Sequence, residues 1–84
     1  MKQMRVGLKI SEHDLDVKMR KVNDFLETGH KVKITLIYRG RELAHRDLGF
    51  KLAERIIADM GESIAVDQAP QFAGRQLNFV VRKK

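Results

Sequence analysis

Cysteine is absent from this chain of 84 residues, which excludes disulfide bonds and thiolate metal sites. No run of about 18 apolar residues occurs, so a transmembrane helix is excluded, and the N-terminus lacks the apolar region of a signal peptide. We therefore expect a cytoplasmic protein that is held together by its hydrophobic core alone. With no leader or tail visible, residues 1–84 are expected to be a single domain cut from a longer protein.

Residue sets that would support catalysis or metal binding are also missing. The histidines share no metal-ligand spacing; they are His13, His30 and His45. No serine lies in a G-x-S-x-G motif and no phosphate-binding glycine loop occurs. A metal-dependent nuclease built on Asp14 and Asp16 is the enzymatic alternative, but side chains two residues apart on a helix point in different directions. The sequence therefore predicts no enzymatic activity, no metal, no cofactor and no small-molecule substrate.

Positive charge is the dominant feature of what is present. Seventeen Lys and Arg against eleven Asp and Glu give a net charge of +6. This charge favours a domain that binds a polyanion such as nucleic acid over a soluble domain that is basic without such a partner. The last apolar segment, 75–82, faintly resembles an RNA-contacting strand of an RRM domain. Its one aromatic residue, Phe79, alternates with Leu77 and Val81 and is therefore expected in the core, where it cannot stack on a base. RNA recognition is therefore expected through phosphate and shape, by Arg and Lys rather than by base stacking.

Apolar periodicity divides the chain into strands and helices. Alternation predicts strands, and a spacing of three and four predicts helices that end at Gly29 and Gly61. The first helix is expected to begin at Ser11, which has an acidic residue three positions later. The predicted elements are strand 4–10, helix 12–28, strand 31–39, helix 42–60, strand 62–69, a loop over 69–74 and strand 75–82. At the start of the second helix, Ala44 and His45 could lie either in the helix or in a lead-in turn.

This order predicts an α/β (α+β) two-layer sandwich, β-α-β-α-β-β, with a four-stranded mixed sheet and both helices on one face. The final hairpin is expected to close through a loop longer than the tightest turns. In the second helix the predicted apolar stripe is Leu48, Leu52, Ile56 and Met60, with Gly49, Ala53 and Ile57 beside it. On the uncovered sheet face, Ile37 and Val80 give slight support to the alternative of a protein-interaction module.

Arginines beside glycines mark the ends of two predicted strands. Arg39 and Arg41 flank Gly40, and Arg75 follows Gly74, an arrangement that favours presentation of guanidinium groups to phosphate. The helices add a second basic set outside their apolar stripes: Lys18, Arg20, Lys21, Arg46, Lys51 and Arg55. Within this set, Arg20 could pair with acids four residues away on either side, whereas Arg55 is expected to be freer.

Three segments together carry a family resemblance. They are K-V-K-I-T-L-I-Y-R-G-R-E-L-A-H at 31–45, D-x-x-x-K-M-R…F-L-E-T-G at 14–29 and G-R-Q-L at 74–77. With them the chain resembles, over nearly all of its length, the C-terminal domain of bacterial translation initiation factor 3. Two departures remove potential phosphate contacts. The chain has Val6-Gly7-Leu8 where the family often has an aromatic-Arg-Pro segment, and Asp24 where a basic residue often stands.

The resemblance implies a monomeric, non-enzymatic domain that binds the small (30S) ribosomal subunit on its 16S rRNA. There it would prevent premature association of the large subunit and support selection of the start codon and initiator tRNA. The alternative is a general RNA-binding or protein-interaction module of the ribosome. By position, the family's RNA-binding residues would be Arg20, Arg39, Arg41, Arg55 and Arg75, with Lys9 as a weaker candidate. The family's N-terminal domain and linker are not in this sequence.

Overall fold

A computed structural model describes residues 1–84 and confirms the predicted order of elements. The elements are β1 (Lys2–Gly7), α1 (Glu12–Glu27), β2 (Val32–Ile37), α2 (Asp47–Met60), β3 (Ile64–Ala73) and β4 (Gln76–Lys83). Short 3₁₀ turns at Gly40–Ala44 and Gly61–Ser63 flank α2. The strand order in the sheet is β1-β2-β4-β3.

The sheet is mixed, as predicted, because only β4 runs against the other strands. β1 pairs in parallel with β2, and β4 pairs antiparallel with both β2 and β3. Val6, Leu36 and Leu77 lie side by side in register, and all three are fully buried. The inward side chains of each strand therefore meet the apolar stripes of both helices in one core, which confirms the two-layer sandwich.

The predicted helix ends are confirmed by their capping contacts. Ser11 Oγ accepts the Asp14 backbone N–H at 3.2 Å at the start of α1. Gly29, just beyond α1, has φ 89°, and Gly61, just beyond α2, has φ 77°. Both values lie in the region that glycine reaches without a steric penalty, so each helix stops where the sequence indicates.

The second helix begins later than residue 42, and Ala44 and His45 belong to a lead-in turn, one of the two alternatives that the sequence left open. Residues 40–44 form a separate 3₁₀ turn, because the Glu42 carboxylate accepts the Arg39 backbone N–H at 2.7 Å and its own N–H donates to the Arg39 carbonyl at 2.8 Å. This side-chain contact closes the turn on itself before α2 begins at Asp47.

Of the residues predicted for the apolar face of α2, only Leu48 lies outside the core. Leu48 is 43% exposed, whereas Gly49, Ala53 and Ile56 are the buried residues of the helix. The reason is Tyr38, whose ring lies against the backbone of Gly49 and leaves no room there for a larger side chain. Gly49 therefore faces the core at the start of α2, and Leu48, which the four-residue spacing favours, does not.

Tyr38 anchors the end of β2 to the start of α2. Its ring is buried, packs edge-on against Phe72 with 5.0 Å between centroids, and its hydroxyl donates to the Arg46 carbonyl. Burial of the phenol raises the pKa of Tyr38 above its usual 10.0, because the interior disfavours the phenolate. The folded state therefore holds this side chain in its neutral form.

This shift predicts an alkaline loss of stability. An unfolded tyrosine ionises near pH 10 and the folded one at higher pH, so the contribution of Tyr38 is complete below about pH 10 and lost as the pH rises beyond it. Because Tyr38 is the only tyrosine, phenolate absorbance and far-ultraviolet circular dichroism should change together in an alkaline titration. Tyr38→Phe, which keeps every lysine, should show a weaker pH dependence. Phenolate formation at the usual pKa in a fully folded chain would contradict the prediction.

The terminal hairpin is confirmed, but its predicted loop over 69–74 is wrong. β3 continues to Ala73, and a two-residue turn, Gly74–Arg75, joins it to β4 with Gly74 at φ 61°. Register shifts between Val66 and Gln68 and between Gln68 and Gln71 let this edge strand carry extra residues. Pro70, which cannot donate a ladder hydrogen bond, is tolerated in such an irregular edge strand.

The uncovered sheet face offers less apolar surface than the sequence indicates. Val80 is only 4% exposed, and Thr35, on the neighbouring strand β2, is fully buried. Gln3 Nε2 donates to Thr35 Oγ1 at 3.2 Å across the strands, so polar contacts close the centre of this face. Val80, one of the two apolar residues that supported a protein-interaction surface on this face, is therefore too buried to contact a partner.

Candidate nucleic-acid interface

Four of the six predicted RNA-binding residues follow strand ends on one edge of the sheet. β1, β2 and β3 all point the same way, so their carboxyl ends lie together with the start of β4. Lys9 follows β1, Arg39 and Arg41 follow β2, and Arg75 lies in the hairpin turn. The Tyr38 N–H donates to the Arg75 carbonyl at 2.9 Å, which joins two of these segments directly.

The 3₁₀ turn after β2 presents its arginines from a fixed backbone. Its anchor is the buried Glu42 carboxylate, held by the Arg39 N–H. Arg39 and Arg41 are exposed, and neither forms a salt bridge. Both guanidinium groups are thus available to an external anion at little cost in backbone ordering.

A groove of about 670 Å³ lies between this edge of the sheet, the segment that follows β1, and one face of α1. We call it the basic groove. Its cationic residues are Arg5, Lys9, Lys18, Lys21 and Arg39, its acidic residues are Asp14 and Glu42, and its apolar residues include Leu8, Ile10, Val17 and Ile37. None of the five cations forms a salt bridge, although Lys18 Nζ donates to the Arg5 carbonyl at 2.5 Å. With five cationic and two acidic residues, the groove therefore carries net positive charge beside apolar side chains.

The other two predicted residues, Arg20 and Arg55, lie on the helices, apart from the basic groove. Arg20 lines a shallow cleft between α1 and α2 beside Asp16 and Asp59. It forms no salt bridge, so the anticipated pairing within α1 is not made.

Arg55 is not free, contrary to the expectation from its sequence neighbours. It donates Nη1–H to Glu12 Oε1 at 2.6 Å and Nη2–H to Glu12 Oε2, and its Nε lies 3.7 Å from an Asp59 oxygen. The hydrogen bond from Arg55 holds the pKa of the Glu12 carboxyl below its usual 4.5. Arg55 is therefore engaged by an acid from the other helix.

The whole chain, residues 1–84, matches the family model described as translation initiation factor IF-3, C-terminal domain. The chain belongs to the IF-3 C-terminal domain family. This confirms the resemblance seen in the sequence, and the family is one of translation initiation factors rather than enzymes.

Curated relatives named translation initiation factor IF-3 support the same membership. The chain is 45% identical over 84 residues to the factor of Zymomonas mobilis, covering 100% of the chain and 47% of the relative. It is 46% identical over 81 residues to that of a Methylobacterium species and 47% identical over 81 residues to that of Bradyrhizobium diazoefficiens. Each of these two matches covers 96% of the chain. The first covers 47% of the Methylobacterium factor and the second covers 45% of the Bradyrhizobium factor. This IF-3 domain thus spans about half the length of the relatives it matches.

Three cations of the basic groove were not singled out by the sequence as site residues: Arg5, Lys18 and Lys21. The spacing of Lys18 and Lys21, three residues apart and off the apolar stripe of α1, places them on one face of the helix. The packing of α1 against β1 and β2 brings Lys18 and Lys21 close to Lys9 and Arg39. This packing is a tertiary contact of the IF-3 domain that the sequence pattern does not show.

In this IF-3 domain, no three His, Cys, Asp or Glu side chains come together in a group that could hold a metal ion. Neither helix has the length and apolar character needed to cross a membrane.

Proposed function

We propose that this domain binds the small (30S) ribosomal subunit through 16S rRNA as a monomeric, non-enzymatic part of a cytoplasmic translation initiation factor. Bound there, it prevents premature association of the large subunit and supports selection of the start codon and initiator tRNA. Family membership supports the role in initiation. The observation that carries the RNA contact is the basic groove, with five cations free of salt bridges beside the exposed Arg41.

The mechanism is electrostatic attachment followed by steric exclusion. Lys and Arg side chains in the groove displace counterions from rRNA phosphates, and this release of ions drives binding. Phosphate contacts fix the orientation of the domain without reading bases. A body with extents of 36 × 26 × 20 Å, held at the surface that the large subunit must contact, blocks joining without any chemical step.

The six RNA-binding residues predicted from the sequence lie on two separate surfaces of the domain. Lys9 and Arg39 line the groove, while Arg41 and Arg75 extend the contact along the same edge of the sheet. Arg20 and Arg55 form a separate contact on the helices. Arg5, Lys18 and Lys21 join the first set, because they share the groove with Lys9 and Arg39.

Co-sedimentation with isolated ribosomal subunits at several salt concentrations tests the proposal. The domain should pellet with small subunits and not with large ones. If five or six side chains neutralise phosphates, log K should fall against log[salt] with a slope of roughly −4 to −5. A flat salt dependence, or equal binding to both subunits, would contradict the proposal.

A further inference from the structure

The ion pair between Arg55 and Glu12 differs from the other salt bridges of the domain because a single guanidinium contacts both oxygens of one carboxylate. Both terminal nitrogens of the guanidinium donate to that carboxylate, across 43 positions of sequence. The remaining salt bridges join single atoms, as between Lys31 and Asp67 or between Lys83 and Glu27. The planar fork of Arg55, the part of arginine that recognises phosphate, is therefore fully occupied.

The pair is nevertheless open to exchange. The side chains of Arg55 and Glu12 are 47% and 70% exposed, so water and external anions reach both. An exposed ion pair is weak, and a phosphate can replace the carboxylate without burying an unpaired charge. Asp59, 3.7 Å from Nε, stays beside the guanidinium after such an exchange and repels a loosely placed anion.

We infer that Glu12 is an intramolecular competitor for phosphate at Arg55. Its carboxylate occupies the guanidinium fork in the free domain, and Arg55 contacts RNA only where a phosphate is held close enough to displace it. This inference rests on the proposed function. It makes Glu12 a residue that limits affinity and discriminates against polyanions which reach Arg55 without first being positioned by the basic groove.

The test compares two variants that change the net charge equally. Glu12→Gln removes the competing charge and keeps the side-chain shape. Glu54→Gln removes an exposed charge next to Arg55 in sequence that forms no salt bridge. Binding to isolated small subunits is measured by co-sedimentation at several salt concentrations, and thermal unfolding of each variant establishes that it is folded.

Glu12→Gln should bind about two- to fivefold more tightly than the unmodified chain, with a salt slope steeper by about 1, because one more phosphate is neutralised. Glu54→Gln should leave the slope unchanged. Adding Arg55→Gln to Glu12→Gln should abolish the gain. Equal behaviour of the two glutamate variants, or a gain that survives loss of Arg55, would overturn the inference.

Failure of this inference is distinguishable from failure of the proposed function. If the unmodified chain binds small subunits with the expected salt slope and Glu12→Gln binds identically, only the role of Glu12 is refuted. If the unmodified chain shows no salt-dependent binding to small subunits, the proposed function fails and the inference fails with it.

Discussion

Replacing Gly49 with alanine should destabilise the domain by about 2–3 kcal/mol. A Cβ at this position would lie 2.0 Å from Tyr38 Oη, 2.6 Å from Cζ and 2.9 Å from Cε1. The ring cannot move aside without losing its hydrogen bond to Arg46 and its contact with Phe72. Alanine gains about 1 kcal/mol in helix propensity over glycine, so the steric penalty must exceed that gain. For a domain of this size the midpoint of thermal unfolding should fall by about 10–20 °C.

Two companion variants make the cause of this loss testable. Gly40→Ala is the matched control, because a Cβ there meets no atom within 4 Å, and it should change stability by less than about 0.5 kcal/mol. Tyr38→Leu removes all three atoms that the new Cβ would touch. Combined with Gly49→Ala it should therefore cost less than the sum of the single substitutions. Strict additivity would show that the overlap with Tyr38 is not the reason.

The strand and helix pattern could be predicted because each element has one apolar face and a clear end signal. Alternation at Val32, Ile34 and Leu36 assigns β2, and Ser11 and Gly29 delimit α1. These are local properties of consecutive residues, so no knowledge of tertiary contacts is needed. The two-layer arrangement follows because two helices with one stripe each can cover only one face of a four-stranded sheet.

The errors in the prediction arise where a specific side-chain contact or strand pairing, rather than the apolar periodicity, decides the local structure. The buried Glu42 carboxylate closes a 3₁₀ turn that the helical period cannot show. Tyr38 selects Gly49 rather than Leu48 for the core, although Leu48 fits the four-residue repeat. The bulges of β3 depend on pairing with β4 and carry the strand through Pro70.

The same limit applies to the candidate interface. Arginines next to glycines mark strand ends, so Arg39, Arg41 and Arg75 could be found from sequence alone. That Arg39 shares a groove with Lys18 and Lys21 depends on helix packing. The pairing of Arg55 with Glu12 joins residues 43 positions apart, and no spacing within α2 indicates it. Charge along the sequence therefore locates candidate cations, and only the fold shows which of them are neutralised.

Reversing the charge of both Lys9 and Arg39 should weaken binding to small ribosomal subunits by about 10- to 100-fold at moderate salt. Both side chains are exposed and line the basic groove from different strand ends, and neither has a salt bridge to lose. The double variant removes two phosphate contacts and adds two repulsive charges. Its salt slope should be shallower than that of the unmodified chain by about 2.

The decisive comparison is with an equal change of net charge outside the groove. Lys51→Glu combined with Lys84→Glu alters two exposed cations, one on the outer face of α2 and one at the C-terminus. If long-range attraction by the net charge of +6 were sufficient, the two double variants would bind equally weakly. If the groove makes direct contacts, the Lys51 and Lys84 variant should lose less than about fivefold and keep its salt slope. Thermal unfolding of both variants should show intact folding, since all four residues are exposed and the one salt bridge that is lost, between Lys51 and Asp47, is itself exposed. Equal losses would refute the groove as the contact surface and leave only net charge as the source of affinity.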